Sequence, residues 1–204
     1  MGRRGWGVGI GVGLLLLPAA LLGDWPLIDI FRPDATAWLI WPLQWATRLG
    51  YGLVGIGVPV AIGAIAWGRG DLYGRRRGFL GGAAVAAAGL VGQILKNLLC
   101  RARPTAVGAG VFFREFPCVP APYALASFPS GHATTAFALA TLLSLWYPRW
   151  TAAWLALATI VGWSRVALGS HFPSDVLAGA ILGVGVTLVF FRWVPGVRED
   201  QKTM

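Results

Sequence analysis

Charged residues in this chain are gathered into short clusters. Between the clusters lie apolar runs close to the roughly 20 residues that a helix needs to cross the hydrocarbon core of a bilayer. The runs extend about from Trp6 to Gly23, Tyr51 to Trp67 and Gly78 to Leu95, then about from Ala133 to Trp146, Ala152 to Leu168 and Val176 to Val194. Inside a bilayer the backbone N–H and C=O groups have no water to bond. Each run must therefore satisfy its own and become a helix, in spite of its glycines and β-branched residues. The expected architecture is an all-α, polytopic membrane helical bundle with about six transmembrane helices, the run at Ala133 being the shortest. Composition agrees: with 56% hydrophobic and only 12% charged residues and a mean hydropathy of +0.66, the chain lacks the polar surface to clothe a water-soluble globule.

No Ser-, Gln- or Pro-rich linker divides the 204 residues, so 1–204 reads as a single domain. A net charge of +9 could suit nucleic acid, but the basic residues punctuate apolar runs and do not line one polar face, which points to membrane topology and to no nucleic-acid partner. Gly7, Gly9, Gly11 and Gly13 imitate a nucleotide loop without the strand or the Lys-Ser/Thr that such a loop requires. Gly179 and Gly183, like Gly81, Gly82, Gly89 and Gly92, suit close helix packing.

With the N-terminus inside, Arg3, Arg4, Arg69, Arg75, Arg76, Arg77, Arg149, Arg192, Arg198 and Lys202 fall on the cytoplasmic side, and so does the tail 195–204. Arg32, Arg48, Lys96, Arg101, Arg103, Arg114 and Arg165 form the smaller set on the other face. The basic start and the small residues Ala19, Ala20 and Gly23 also fit a cleaved leader, which would leave the later topology unchanged. Segment 24–50, with Trp25, Trp38, Trp41, Trp45, Asp29, Arg32, Asp34 and Arg48, reads as interfacial. Trp41 and Trp45 share a helix face there, as an aromatic belt or as a lid that shapes a substrate site.

Three polar blocks, Lys96–Pro104, Pro129–His132 and Ser164–Asp175, fall on the face opposite the Arg75–Arg77 triple. Lys96 alone could snorkel to the headgroups, but Arg101, Arg103 and Arg165 would crowd several guanidinium groups into one region, which an anion such as phosphate stabilises. Ser130 and Gly131 precede a helical run, where unpaired amides and the helix dipole favour a phosphate oxygen; Ser130 could equally be a plain helix cap. The chain has only two histidines, His132 and His171, and both lie in these blocks. Asp175, four residues after His171, can orient its imidazole and support positive charge on it. His171 can then attack phosphorus in line while Lys96, Arg103 and Arg165 neutralise the equatorial oxygens, with His132 as general acid and then base. No cofactor and no metal is expected: Mg²⁺ would need carboxylates where cations stand, and arginines would repel a zinc ion held by the histidines and Asp175.

The patterns KxxxxxxRP (Lys96, Arg103, Pro104), PSGH (Pro129 to His132) and SRxxxxxHxxxD (Ser164, Arg165, His171, Asp175) resemble, at every specified position and in order, the three-part signature of the type 2 phosphatidic acid phosphatase family. The strict match covers Lys96 to Asp175. The resemblance implies a helical bundle with an outward-facing site and metal-independent hydrolysis of a lipid phosphate or a polyprenyl diphosphate such as undecaprenyl diphosphate. It further implies His171 as nucleophile, Asp175 as its partner, His132 as acid, and Lys96, Arg103, Ser130, Gly131 and Arg165 as phosphate ligands. Arg101 is not a signature position. A bacterial inner membrane with a periplasmic site is the expected location. Cys100 and Cys118, near the third and fourth runs on the predicted oxidising face, admit either a disulfide or two free thiols. A lipid phosphotransferase would use the same residues. An anion or lipid transporter would bring charges to mid-membrane on broken helices, and the related vanadate-dependent haloperoxidases are soluble enzymes, unlike this chain.

Overall fold

The computed structural model describes residues 3–31 and 37–194, and all regular structure among them is helical. Arg32, Asp34, Arg198, Lys202 and the rest of the tail 195–204 lie outside the described residues. Among the described residues eight α-helices follow in order: α1 Arg3–Leu22, α2 Asp24–Phe31, α3 Ala37–Arg48, α4 Gly52–Gly68, α5 Leu72–Leu99, α6 Gly131–Trp146, α7 Thr151–Ala167 and α8 Pro173–Trp193.

Every expected run contains a helix, but the helices differ in length. Among the described residues three are long and apolar enough to cross a membrane: Gly5–Leu22 within α1, α5 and α8. A fourth span arises if Trp38–Arg48 and Gly52–Gly68, bent by 50° at the break between them, count as one. Helices α4, α6 and α7 have 17, 16 and 17 residues, which puts each at or just below the lower limit for a span. Helix α5 begins well before Gly78 because Asp71 caps it, its Oδ1 accepting the Gly74 amide at 2.9 Å. The triple Arg75–Arg77 thus sits within the first turns of α5, where the Arg77 guanidinium lies 4.7 Å from the Trp146 ring. Segment 24–50, expected to be interfacial, holds α2 and α3.

The bundle centres on α6, which packs against α5, α7 and α8. Ala84, Val85 and Ala88 of α5 meet Ala138 and Leu142 of α6 and Phe191 of α8, while Ala136 and Ala140 on another face of α6 meet Ala158 and Val161 of α7. This core is built largely from small residues, as expected where lipid is as apolar as leucine and helices associate through close backbone approach. Gly179 and Gly183 of α8 press on the α6 backbone: a Cβ on Gly179 would stand 2.6 Å from the Ser130 carbonyl oxygen, and one on Gly183 would collide with the Thr134 carbonyl. Many of the large apolar side chains face outward. Leu15, Leu22 and Leu53 are 81%, 90% and 89% exposed, an arrangement stable only in an apolar solvent. The tight α6–α8 contact also sets the start of α6 beside the start of α8, the Ser130 amide donating to the Asp175 carbonyl at 2.9 Å.

Candidate active site

The three polar blocks meet at one end of the bundle. Lys96 lies in the last turn of α5, Ser130 caps α6, Gly131 and His132 open it, Arg165 closes α7, His171 stands in the α7–α8 turn and Asp175 occupies the first turn of α8. The turn before His171 is made by Gly169, whose φ of +66° suits glycine, and is held by the Ser170 and His171 amides on the Arg165 carbonyl at 2.9 and 3.2 Å. Pro173 then starts α8 with its preset φ. Asp175 Oδ2 accepts the Phe172 amide at 2.8 Å, so the first turn of α8 itself aims the carboxylate at the preceding imidazole.

Asp175 is fully buried. Its Oδ2 also accepts the Ser127 hydroxyl at 2.6 Å and stands 3.6 Å from His171 Nδ1, while Oδ1 pairs with Arg101 Nη1 at 2.5 Å. On the other side of the imidazole, Nε2 of His171 lies 3.2 Å from Arg103 Nη1. A guanidinium can only donate, so Nε2 is the unprotonated nitrogen. Burial pushes the His171 pKa down to about 3, with Arg103 and Lys96 reinforcing it and the Asp175 carboxylate opposing. The imidazole is neutral, the form that a nucleophile requires.

Arg103 is locked by the carbonyls of Tyr123 (2.7 Å), Ser170 (2.7 Å) and Ala126 (3.1 Å) and by the Tyr123 ring at 4.0 Å. Burial lowers its pKa, while Tyr123 and Asp175 act the other way. Lys96 Nζ donates to the carbonyls of Pro129 at 2.6 Å and Ala126 at 3.1 Å. Arg165 Nη1 donates to Thr47 of α3 at 2.7 Å, and the Tyr51 ring lies 5.0 Å from that of His132. The α3–α4 corner passes so close that a Cβ on Gly50 would stand 2.9 Å from His132 Cβ.

Ser130 Oγ, His132 Nε2 and Arg165 Nε are buried with no partner in the protein, and a Cβ added to Gly131 meets nothing within 4 Å. Together with the first amides of α6, which have no acceptor within the helix, these groups fit a tetrahedral oxyanion. Among the described residues no three His, Cys, Asp or Glu side chains converge as metal ligands would.

Arg101 stands apart from the other cations. Both its terminal nitrogens are taken by acidic and hydroxyl oxygens, Asp24 Oδ2 at 2.5 Å, Asp175 Oδ1 at 2.5 Å and Ser174 Oγ at 2.7 Å. It therefore lies behind the carboxylate and not with the oxyanion-facing groups. Asp24, Thr47, Ser127 and Ser174 escape the motif reading. Only Asp24 carries a signal in the sequence, an acid directly after an apolar run, a place where ionisable residues are costly unless used. Cys100 and Cys118 form a disulfide that ties the end of α5 to the loop carrying Arg103.

A lipid A 1-phosphatase of Rhizobium johnstonii is 39% identical over 52% of this chain and 43% of its own length. The chain spans less than half the length of the lipid A 1-phosphatases it matches. A decaprenylphosphoryl-5-phosphoribose phosphatase of Mycobacterium tuberculosis is 33% identical over 69% of this chain and 72% of its own. A transmembrane PAP2 type phosphatidylglycerolphosphate phosphatase from Bacillus subtilis shares the fold, with a TM-score of 0.68 over 97% of this chain and 96% of that one at 24% identity. The PAP2 superfamily model matches residues 78–199, well over half of the chain, and this protein belongs to that superfamily.

Proposed function

We propose that this protein is an integral membrane lipid phosphatase that hydrolyses a lipid phosphate monoester or a polyprenyl diphosphate through a phosphohistidine, without a metal. The observation that carries the reading is the setting of His171: a neutral imidazole with Asp175 behind Nδ1 at 3.6 Å and Arg103 beside Nε2 at 3.2 Å. In this mechanism Nε2 attacks phosphorus in line and the bond from phosphorus to the leaving oxygen breaks. His132 gives that oxygen its proton. Lys96, Arg103, Arg165, Ser130 and the α6 amides hold the equatorial oxygens, whose charge they match in the transition state. His132 then takes a proton from water, whose oxygen displaces Nε2 and releases inorganic phosphate. Asp175 supports the positive charge that the imidazole carries while it holds the phosphoryl group.

Six helices across the membrane, with the site at the extracytoplasmic surface of a bacterial inner membrane and both termini in the cytoplasm, fit this reading. Along α5, Arg75 and Lys96 are separated by about 30 Å at 1.5 Å per residue, the thickness of the hydrocarbon core. The Arg triple then anchors one surface while the site opens at the other. The exposed indoles of Trp38, Trp41 and Trp45 on α3, the helix whose Thr47 contacts Arg165, favour a substrate with a lipid tail. The names of the relatives, a lipid A 1-phosphatase and a decaprenylphosphoryl-5-phosphoribose phosphatase, point to the same substrate class.

The test is phosphate release by detergent-purified protein in EDTA across a panel of lipid phosphates and polyprenyl diphosphates, with His171→Ala as control. Release that survives chelation and disappears in the variant is expected. No release from any member, or release that needs added metal, overturns the reading.

A further inference from the structure

The acidic residue that the motif reading passed over lies at the back of the site. Asp24 opens α2, and its carboxylate makes three contacts with residues far away in the chain. Oδ2 accepts Arg101 Nη2 at 2.5 Å and the Ser174 hydroxyl at 2.5 Å, and Oδ1 accepts the Ser174 amide at 3.0 Å. Arg101 continues the chain of contacts to Asp175. Its guanidinium lies 4.7 Å from the Phe112 ring and 4.5 Å from the Phe172 ring, and Trp25, next to Asp24, packs edge-on against Phe172 at 5.3 Å. Asp24 is 3% exposed, Arg101 2%, and Ser174 and Asp175 are fully buried.

We propose that Asp24 is a positioning residue for the His171–Asp175 pair, acting through Arg101 and Ser174; the inference rests on the phosphatase reading above. Two physical effects combine. The first is charge. Were Arg101 paired with Asp175 alone, the two would form a neutral couple and Asp175 would offer little to a positively charged imidazole. With Asp24 as second acid, two carboxylates share one guanidinium, and the cluster keeps a net negative charge beside His171. That charge is needed when the imidazole becomes a phosphohistidine, and burial keeps the interaction from being screened. The second effect is geometric. The Ser174 amide is one of the α8 N-terminal donors with no acceptor in its own helix, and Asp24 caps it from another helix. The turn from which Asp175 projects is thereby held by α2.

A clamp that served only stability would affect the folded fraction and leave the turnover of folded molecules alone. A positioning residue alters turnover. The experiment measures steady-state hydrolysis of a lipid phosphate in detergent by wild type, Asp24→Asn, Arg101→Lys and the double variant, with thermal midpoints for all. Asp24→Asn keeps the shape and removes the charge; it should lower kcat about 10- to 100-fold with KM within about twofold of wild type. Arg101→Lys keeps a charge but cannot bridge both carboxylates and should lose kcat similarly. Adding Asp24→Asn to it should cost little more, since both changes break the same connection. If Asp24→Asn does not yield folded protein, the same kcat loss at unchanged KM in Arg101→Lys supports the inference, and its absence overturns it. An Asp24→Asn enzyme with wild-type kcat, or multiplicative losses in the double variant, overturns it as well. If wild type releases no phosphate, the phosphatase reading fails and this inference falls with it. If wild type is active, His171→Ala is dead and Asp24→Asn is unimpaired, only the inference fails.

Discussion

Arg103 Nη1 and His171 Nε2 lie 3.2 Å apart, so the nitrogen that would attack phosphorus and a donor that would hold a phosphate oxygen share one wall of the site. Three backbone carbonyls fix the guanidinium there. Lysine can supply the charge at this position but not the planar fork. Arg103→Lys should therefore lower kcat/KM about 100-fold or more. Steady-state kinetics on a lipid phosphate checks this, and a loss under about fivefold would remove Arg103 from the phosphate site.

His132 has a different task in the proposed mechanism, where it would give a proton to a poor leaving group. Its Nε2 has no partner in the protein. His132→Gln should slow hydrolysis of an alkyl lipid phosphate about 10²- to 10⁴-fold. An aryl phosphate, whose leaving oxygen needs no proton, should lose much less. Equal losses on both substrates would argue against general acid catalysis by His132.

The buried neutral state of His171 links stability to pH. Its pKa is about 3 in the folded protein against about 6.5 in an unfolded chain. Between these values the unfolded state binds the extra proton, so this contribution is fully present above about pH 6.5 and is lost as pH falls toward 3. The slope is about 1.4 kcal/mol per pH unit in that window. Thermal midpoints in detergent between pH 7 and 4 should fall more steeply for wild type than for His171→Gln; parallel curves would contradict the assignment.

Glycines of α8 separate into two kinds. Gly183 lies against the α6 backbone at Thr134 and Ala138, whereas a Cβ on Gly185 meets nothing within 4 Å. Gly183→Ala must push α6 away and should cost about 1–3 kcal/mol or more. Gly185→Ala should be neutral or stabilising by up to about 1 kcal/mol, through helix propensity. Thermal denaturation of the two variants side by side decides, and similar midpoints would mean that the α6–α8 contact is loose.

Much of this protein is legible along the chain. Apolar runs nearly free of charge have one structural outcome in lipid, so helices form close to where composition places them. The spacing of four between His171 and Asp175 encodes their approach because one turn and the start of α8 join them directly. That Lys96, Ser130 and Arg165 lie near the ends of helices is also legible, since each stands close to an end of an apolar run. Helix length is less so. The cap at Asp71 carries α5 past the apparent edge of its apolar run, and the bend between α3 and α4 is a matter of packing. The allegiance of Arg101 could not be read at all. Among arginines it looks like another phosphate ligand, and only the fold brings Asp24, 77 residues away, to its far side and Ser174, 150 residues from Asp24, into the same cluster. Short-range patterns record which segments become helices and which residues share a turn. Which buried charge pairs with which depends on how the helices pack, and that is a property of the assembled bundle alone.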